Sequence, residues 1–189
     1  MIKNYGLWRV FQLFAKHPLT SFQIREISRK IKLAPTSVKL HLDVLESKKL
    51  VKRQKVGVYQ AYLAEFDSED FRFYKKIHNL IELKESGLID YLDEKTTPNS
   101  IVLFGSYSRG EDLEKSDIDL YIQSRKTELD LEKFENKLGR EIQTFFSEDI
   151  ERYPKELQIN ILRGITLSGS IQWTTSSGSH RTRKGRKGS

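Results

Sequence analysis

The feature that most restricts this chain is the stretch 100–124, SIVLFGSYSRGEDLEKSDIDLYIQS. Its apolar run at 101–104 stops at Gly105-Ser106, and a short continuous apolar run closed by a turn signal predicts a buried strand. Ten residues further on, the segment 117–122 alternates polar and apolar side chains, which predicts a second strand with Asp117 and Asp119 on one face. Two carboxylates therefore converge on one spot, with Arg109, Gly110 and Ser116 in the loop before them. A Gly-Ser turn alone is common, and so is a solvated Ser-Asp-x-Asp strand edge. Their joint occurrence at the spacing Gly-Ser-x10-Asp-x-Asp, directly after an apolar strand, is specific.

This string resembles the signature of the polymerase β-like nucleotidyltransferase superfamily, and its Ser-x-x-Arg-Gly form and size are similar to those of minimal nucleotidyltransferases. The resemblance covers about 97–170, with 129–138 read as a helix, 141–146 as a third strand and 154–163 as a final helix. It implies a nucleotide site in which Gly105 permits close backbone approach to a triphosphate and Ser106 offers a hydroxyl and an N–H to its phosphates. Ser116 belongs to the same site, and Arg109 orients the loop, pairs with phosphate or pairs with a nearby acid. Asp117 and Asp119 are implied as catalytic residues that hold Mg²⁺ or Mn²⁺, hard cations that take oxygen ligands and bridge to phosphate.

The implied reaction is attack of an acceptor hydroxyl on the α-phosphate of a nucleoside triphosphate, with ATP the expected substrate and a protein or nucleic acid the expected acceptor. That chemistry usually uses a third carboxylate from a neighbouring strand. Here the strand reads EIQTFF, and the position facing the two aspartates falls on Gln143, which is uncharged. Glu141 has the same side-chain parity and would face them if the register shifted by two residues. Nucleotide binding is thus better supported than turnover, and a transcription regulator with a weak, nucleotide-sensing domain is the alternative.

Upstream, Leu7, Val10, Phe11 and Phe14 recur at helical spacing, as do Phe22, Ile24, Ile27 and Ile31. A third helix is expected from Pro35, whose fixed φ suits a first helical turn, with Val38, Leu42 and Leu45 on its buried face. Two alternating segments around Gly57 then predict a hairpin. This order, with TSVKLHLDVLESKKLVKR, resembles the winged helix-turn-helix family of DNA-binding domains. The resemblance places Thr36, Ser37, Lys39 and His41 on or near the DNA-facing side of the third helix, and implies phosphate contacts from Lys52, Arg53 and Lys55. The competing reading is a small packing or dimerisation unit with a solvated basic face.

Charge divides the chain in the same way. Residues 1–65 hold 13 basic and 4 acidic side chains, net +9, whereas 66–175 carry net −7 and 176–189 net +5. A basic first module suits a polyanion, and an acidic second one suits cations or metal-bound nucleotide. Between them, 67–83 places Phe71, Tyr74, His78 and Ile81 on one helical face and Phe73, Ile77 and Leu80 on the next. An apolar arc this broad predicts a second covered surface, against the nucleotide module or against another copy of the chain in a homodimer.

The expected fold class is α+β: a winged helix-turn-helix domain at 1–66, a connecting helical segment at 67–96, and a nucleotidyltransferase domain at 97–171 with a small mixed sheet flanked by helices. The basic tail at 172–189 reads either as a nucleic-acid-binding arm or as vector-encoded sequence. The absence of cysteine excludes disulfides, thiolate nucleophiles and cysteine zinc sites, and the four histidines lack ligand spacing. No apolar run exceeds four residues, far below the roughly 20 that a membrane span needs. The amphipathic N-terminus does not read as a signal peptide, so a cytoplasmic, non-membrane protein is expected.

Overall fold

A computed structural model describes residues 5–173, and the expectations for 174–189 of the basic tail lie outside them. The architecture is α+β. It begins with α1 (Gly6–Lys16), α2 (Ile24–Ile31) and α3 (Pro35–Ser47), followed by the antiparallel hairpin β1 (Val51–Val56) and β2 (Tyr59–Ala64). Pro35 opens α3, where its missing N–H is one of the helix's unused donors. Val10, Phe11, Phe14, Ile27, Val38, Leu42 and Leu45 are buried together, each at the helical spacing its sequence predicts. Phe22 and Tyr62 exchange backbone hydrogen bonds of 2.8 and 2.9 Å, which ties the α1–α2 connection to the hairpin.

The connecting segment is two helices, α4 (Glu69–Ser86) and α5 (Leu88–Thr96), broken at Gly87. Ser68 caps α4 by accepting from the Phe71 N–H, and Phe71 belongs to the first core while Leu83, Leu88 and Leu92 belong to the second. The expected apolar arc of α4 is rearranged: Phe73 and Tyr74 are exposed, whereas Lys75 and Asn79 are buried.

The remainder is β3 (Ser100–Phe104), α6 (Gly105–Arg109), β4 (Ile118–Ile122), α7 (Glu132–Leu138), β5 (Ile142–Phe146), a 3₁₀ turn (Ile150–Arg152), α8 (Lys155–Leu162) and β6 (Ile165–Gly169). Strand order is β5-β4-β3-β6, with β4 parallel to β5 and the other pairs antiparallel. Side-chain alternation divides the sheet cleanly. Ile101, Leu103, Ile118, Leu120 and Ile122 meet α4, α5 and α7, while Val102, Phe104 and Tyr121 pack with Ile150 and Ile161. The short α6 replaces an expected loop, β6 is an additional strand, and α7 starts at Glu132 rather than at 129, with Leu129 and Leu131 packed on the core from the segment before it.

Candidate functional site

Phe104, Asp119 and Gln143 lie side by side across three strands, since Phe104 pairs with Asp119 and Asp119 with Gln143. Side-chain parity puts all three on the α8 side of the sheet, at the end where β3 gives way to α6. There Gly105 adopts φ +73°, a conformation L side chains rarely take. A Cβ on Gly105 would also strike the Asp119 carboxylate, so the backbone and this acid meet only because the position is glycine. Ser106 is half-buried in the single turn of α6, whose carbonyl accepts from the N–H groups of Gly110 and Glu111.

Asp117 immediately precedes β4, and its Oδ2 accepts from Gln143 Nε2 at 2.5 Å. The Asp119 carboxyl is held above the usual carboxylate range, first by partial burial and then by the Asp117 charge, with Arg109 pulling the other way. Among the described residues no hydrogen bond or ion pair engages Asp119. Arg109 pairs with Glu111 at 2.7 Å, and Ser116 Oγ turns inward to accept from the Leu113 N–H at 2.9 Å. Glu141 shares Gln143's parity but lies one strand position before Ile142, where its carbonyl accepts from Ile118 N–H. It lines a cavity of about 410 Å³ with Ser116, Asp117 and Arg140.

These donors suit a hard divalent cation: two half-buried carboxylates that repel one another, beside a backbone that a side chain would obstruct. Among the described residues, however, no group of three or more His, Asp or Glu side chains is placed to share a metal ion. The third position is the amide of Gln143.

The loop from α6 to β4 is anchored by residues that the sequence pattern did not single out. Asp112 is fully buried; its Oδ2 accepts from Lys75 Nζ at 2.8 Å and Arg140 Nη2 at 2.7 Å, and its Oδ1 from Asn79 Nδ2 at 2.7 Å. Gly110, also at positive φ, passes so close to the Arg72 carbonyl of α4 that a Cβ would not fit.

In the N-terminal unit Thr36, Lys39, Lys52, Arg53 and Lys55 are exposed and Ser37 is half-buried. His41 is also half-buried, turned toward Gly6 of α1. Several of these cations already hold carboxylates: Lys39 and Arg53 share Asp43 at 3.0 and 2.9 Å, Arg53 also reaches Glu46 at 2.6 Å, and Lys52 reaches Glu65 at 2.8 Å.

Residues 86–172 match the family model described as Polymerase beta, Nucleotidyltransferase. The C-terminal part of the chain is therefore a polymerase β-like nucleotidyltransferase domain. The match begins within the segment read from sequence as a connector and takes in α5. Comparison with curated proteins and with solved structures gives no match. Among the described residues, no helix is long and apolar enough to cross a membrane.

Proposed function

We propose that the nucleotidyltransferase domain binds a nucleoside triphosphate, ATP being the first candidate, and transfers its nucleoside monophosphate to a protein or nucleic-acid hydroxyl. The observation that carries this reading is the contact of Asp119 with Gly105, which sets the acid we propose to hold metal against a backbone that a phosphate could approach. Gly105 and Ser106 would bind the phosphates, and Asp117 and Asp119 would hold Mg²⁺. Bound there, Mg²⁺ would supply neutralisation of the triphosphate and of the charge that develops on leaving pyrophosphate. In the transfer, the acceptor oxygen forms a bond to the α-phosphorus, the bond to pyrophosphate breaks and the hydroxyl proton passes to solvent.

We further propose that residues 1–66 form a winged helix-turn-helix module that brings this domain to duplex DNA. The helix–helix–helix–hairpin order and the net charge of +9 support it. A second reading has a specific observation in its favour. Gln143 stands where a third carboxylate would be useful, so the domain would bind nucleotide and turn it over slowly, acting as a sensor in a transcription regulator.

Incubation with each labelled triphosphate and Mg²⁺, with and without duplex DNA and protein acceptors, separates the two. Label on an acceptor supports transfer; metal-dependent binding without label supports the sensor. Equally tight triphosphate binding with and without a divalent cation would remove the Asp117/Asp119 assignment, because those acids repel a bare triphosphate.

A further inference from the structure

The last turn of α1 lies against α4, and His17, directly after it, reaches the loop that leads to Asp117. The Ala15 carbonyl accepts from Lys75 Nζ at 2.7 Å, Lys16 pairs with Glu82 at 3.3 Å, and His17 Nδ1 lies 2.9 Å from Glu114 Oε1. Lys16, His17 and Glu114 are each about half exposed, though Glu82 is mostly covered, and pairs with an exposed partner contribute little. The inner contact is different, because Lys75 is wholly buried.

Asp112 does not need Lys75. Arg140 neutralises its charge through Oδ2 and Asn79 satisfies Oδ1, so Lys75 brings a second cation to one carboxylate. Burial holds the Lys75 ammonium below its ordinary pKa, and the Arg140 charge pushes the same way against the pull of Asp112. A buried charge that neutralisation does not require is weak as a stability device. What Lys75 alone does is join Asp112 to the backbone of α1.

The connection continues to the candidate site. Arg140, held on Asp112, donates through Nη1 to the carbonyls of Leu113 and Ser116, and Ser116 precedes Asp117. At its other end α1 packs on α3, with Gly6 against His41. We propose that Lys75 is a positioning residue that fixes the Asp117-bearing loop to the end of α1, so that the geometry of the nucleotide site depends on how the N-terminal unit is seated. Its functional consequence rests on the nucleotide-site reading above; the mechanical link does not.

The test uses the full chain and Lys75→Met, which keeps the length of the side chain and leaves Asp112 paired with Arg140. Thermal unfolding should be unchanged or improved. Hydrogen exchange at the Glu111, Leu113 and Ser116 amides should accelerate about tenfold, while exchange in the β1–β2 hairpin is unaltered. Mn²⁺–ATP binding, followed by electron paramagnetic resonance, should weaken by about five- to tenfold at that unchanged stability, a split that a purely structural lysine would not produce. Lys75→Gln, shorter and neutral but still able to hydrogen-bond, should loosen the same amides less than Lys75→Met does.

Loop exchange equal to wild type in both variants overturns the link. So does a large fall in melting temperature with faster exchange throughout the protein, since Lys75 would then be a stabilising pair. If wild-type protein leaves the Mn²⁺–ATP spectrum unchanged, the nucleotide reading fails, and the exchange measurement still decides the link.

Discussion

Gln143 donates a 2.5 Å hydrogen bond to Asp117 from the strand parallel to β4, in register with Asp119. The amide thus holds one acid of the pair from the direction in which a third acid would share its cation. Gln143→Asp should remove that bond and place three carboxylates together, lowering stability without metal by about 1–2 kcal/mol. Mn²⁺ should restore the loss, and single-turnover transfer should rise about tenfold, or ~1.4 kcal/mol of barrier. Glu141→Ala should leave transfer near wild type. Melting curves with and without Mn²⁺ check the first half; the reverse pattern, with Glu141→Ala abolishing transfer, would make Glu141 the third ligand.

Gly105 carries two constraints at once, a positive φ and contact with Asp119. Gly105→Ala should cost about 1–2 kcal/mol of backbone strain and displace the carboxylate. A domain with ordinary stability of about 5–15 kcal/mol survives this. Calorimetry should therefore find a folded protein whose Mg²⁺-dependent triphosphate affinity is down at least about tenfold, equivalent to ~1.4 kcal/mol. Unchanged affinity would detach Gly105 and Asp119 from the nucleotide.

Residue patterning reveals which faces avoid water, and it carried the helix–helix–helix–hairpin order and the alternation of β4. The same alternation favoured Gln143 over Glu141 beside the aspartates, and β5 pairs in that register. Patterning could not reveal Lys75 and Asn79, because it assigns polar side chains to solvent. Their shared partner Asp112 is 37 residues from Lys75 along the chain, in a loop whose acids all look alike in sequence. It also could not reveal β6, a partly exposed edge strand without clean alternation. The ion pair of Arg53 with Asp43 was equally hidden, since it requires α3 and β1 to be adjacent in space, whereas Lys39 and Asp43 are an i,i+4 pair within α3.

The Tyr121 hydroxyl is buried on the α8 side of the sheet and donates to the Ser147 carbonyl at 3.0 Å. Burial pushes its pKa up to about 12, with smaller contributions from Tyr153 and Asp149. An unfolded tyrosine ionises near pH 10, so the folded state holds this proton longer than the unfolded state does. The associated stability is intact below about pH 10 and is lost as pH rises toward about 12, by at most about 2–3 kcal/mol. Urea unfolding at pH 8 and near pH 11 should show this loss in wild type and a smaller one in Tyr121→Phe. At pH 8 the variant should be weaker by about 1 kcal/mol, because the Ser147 carbonyl loses its donor. Equal alkaline losses in both proteins would assign the effect to other groups.

Asp43 accepts from Lys39 and Arg53 together, and all three side chains are at least one-third exposed. Exposed pairs of this kind are worth about 0–1 kcal/mol, so Asp43→Asn should remain folded. A DNA phosphate arriving at α3 and β1 competes with this carboxylate for both cations, and with Glu46 for Arg53. Asp43→Asn should therefore bind duplex more tightly than wild type at every sequence, and its logarithmic salt slope should steepen by about 0.9 for one added phosphate contact. Replacing Lys52, Arg53 and Lys55 together by Ala should act in the opposite sense and flatten the slope, whereas changes at Ser37 or Lys39 should alter sequence preference. Fluorescence anisotropy across a salt series reads both quantities. If Asp43→Asn matches wild type in affinity and slope, this face does not meet phosphate, and the basic N-terminal unit serves packing instead.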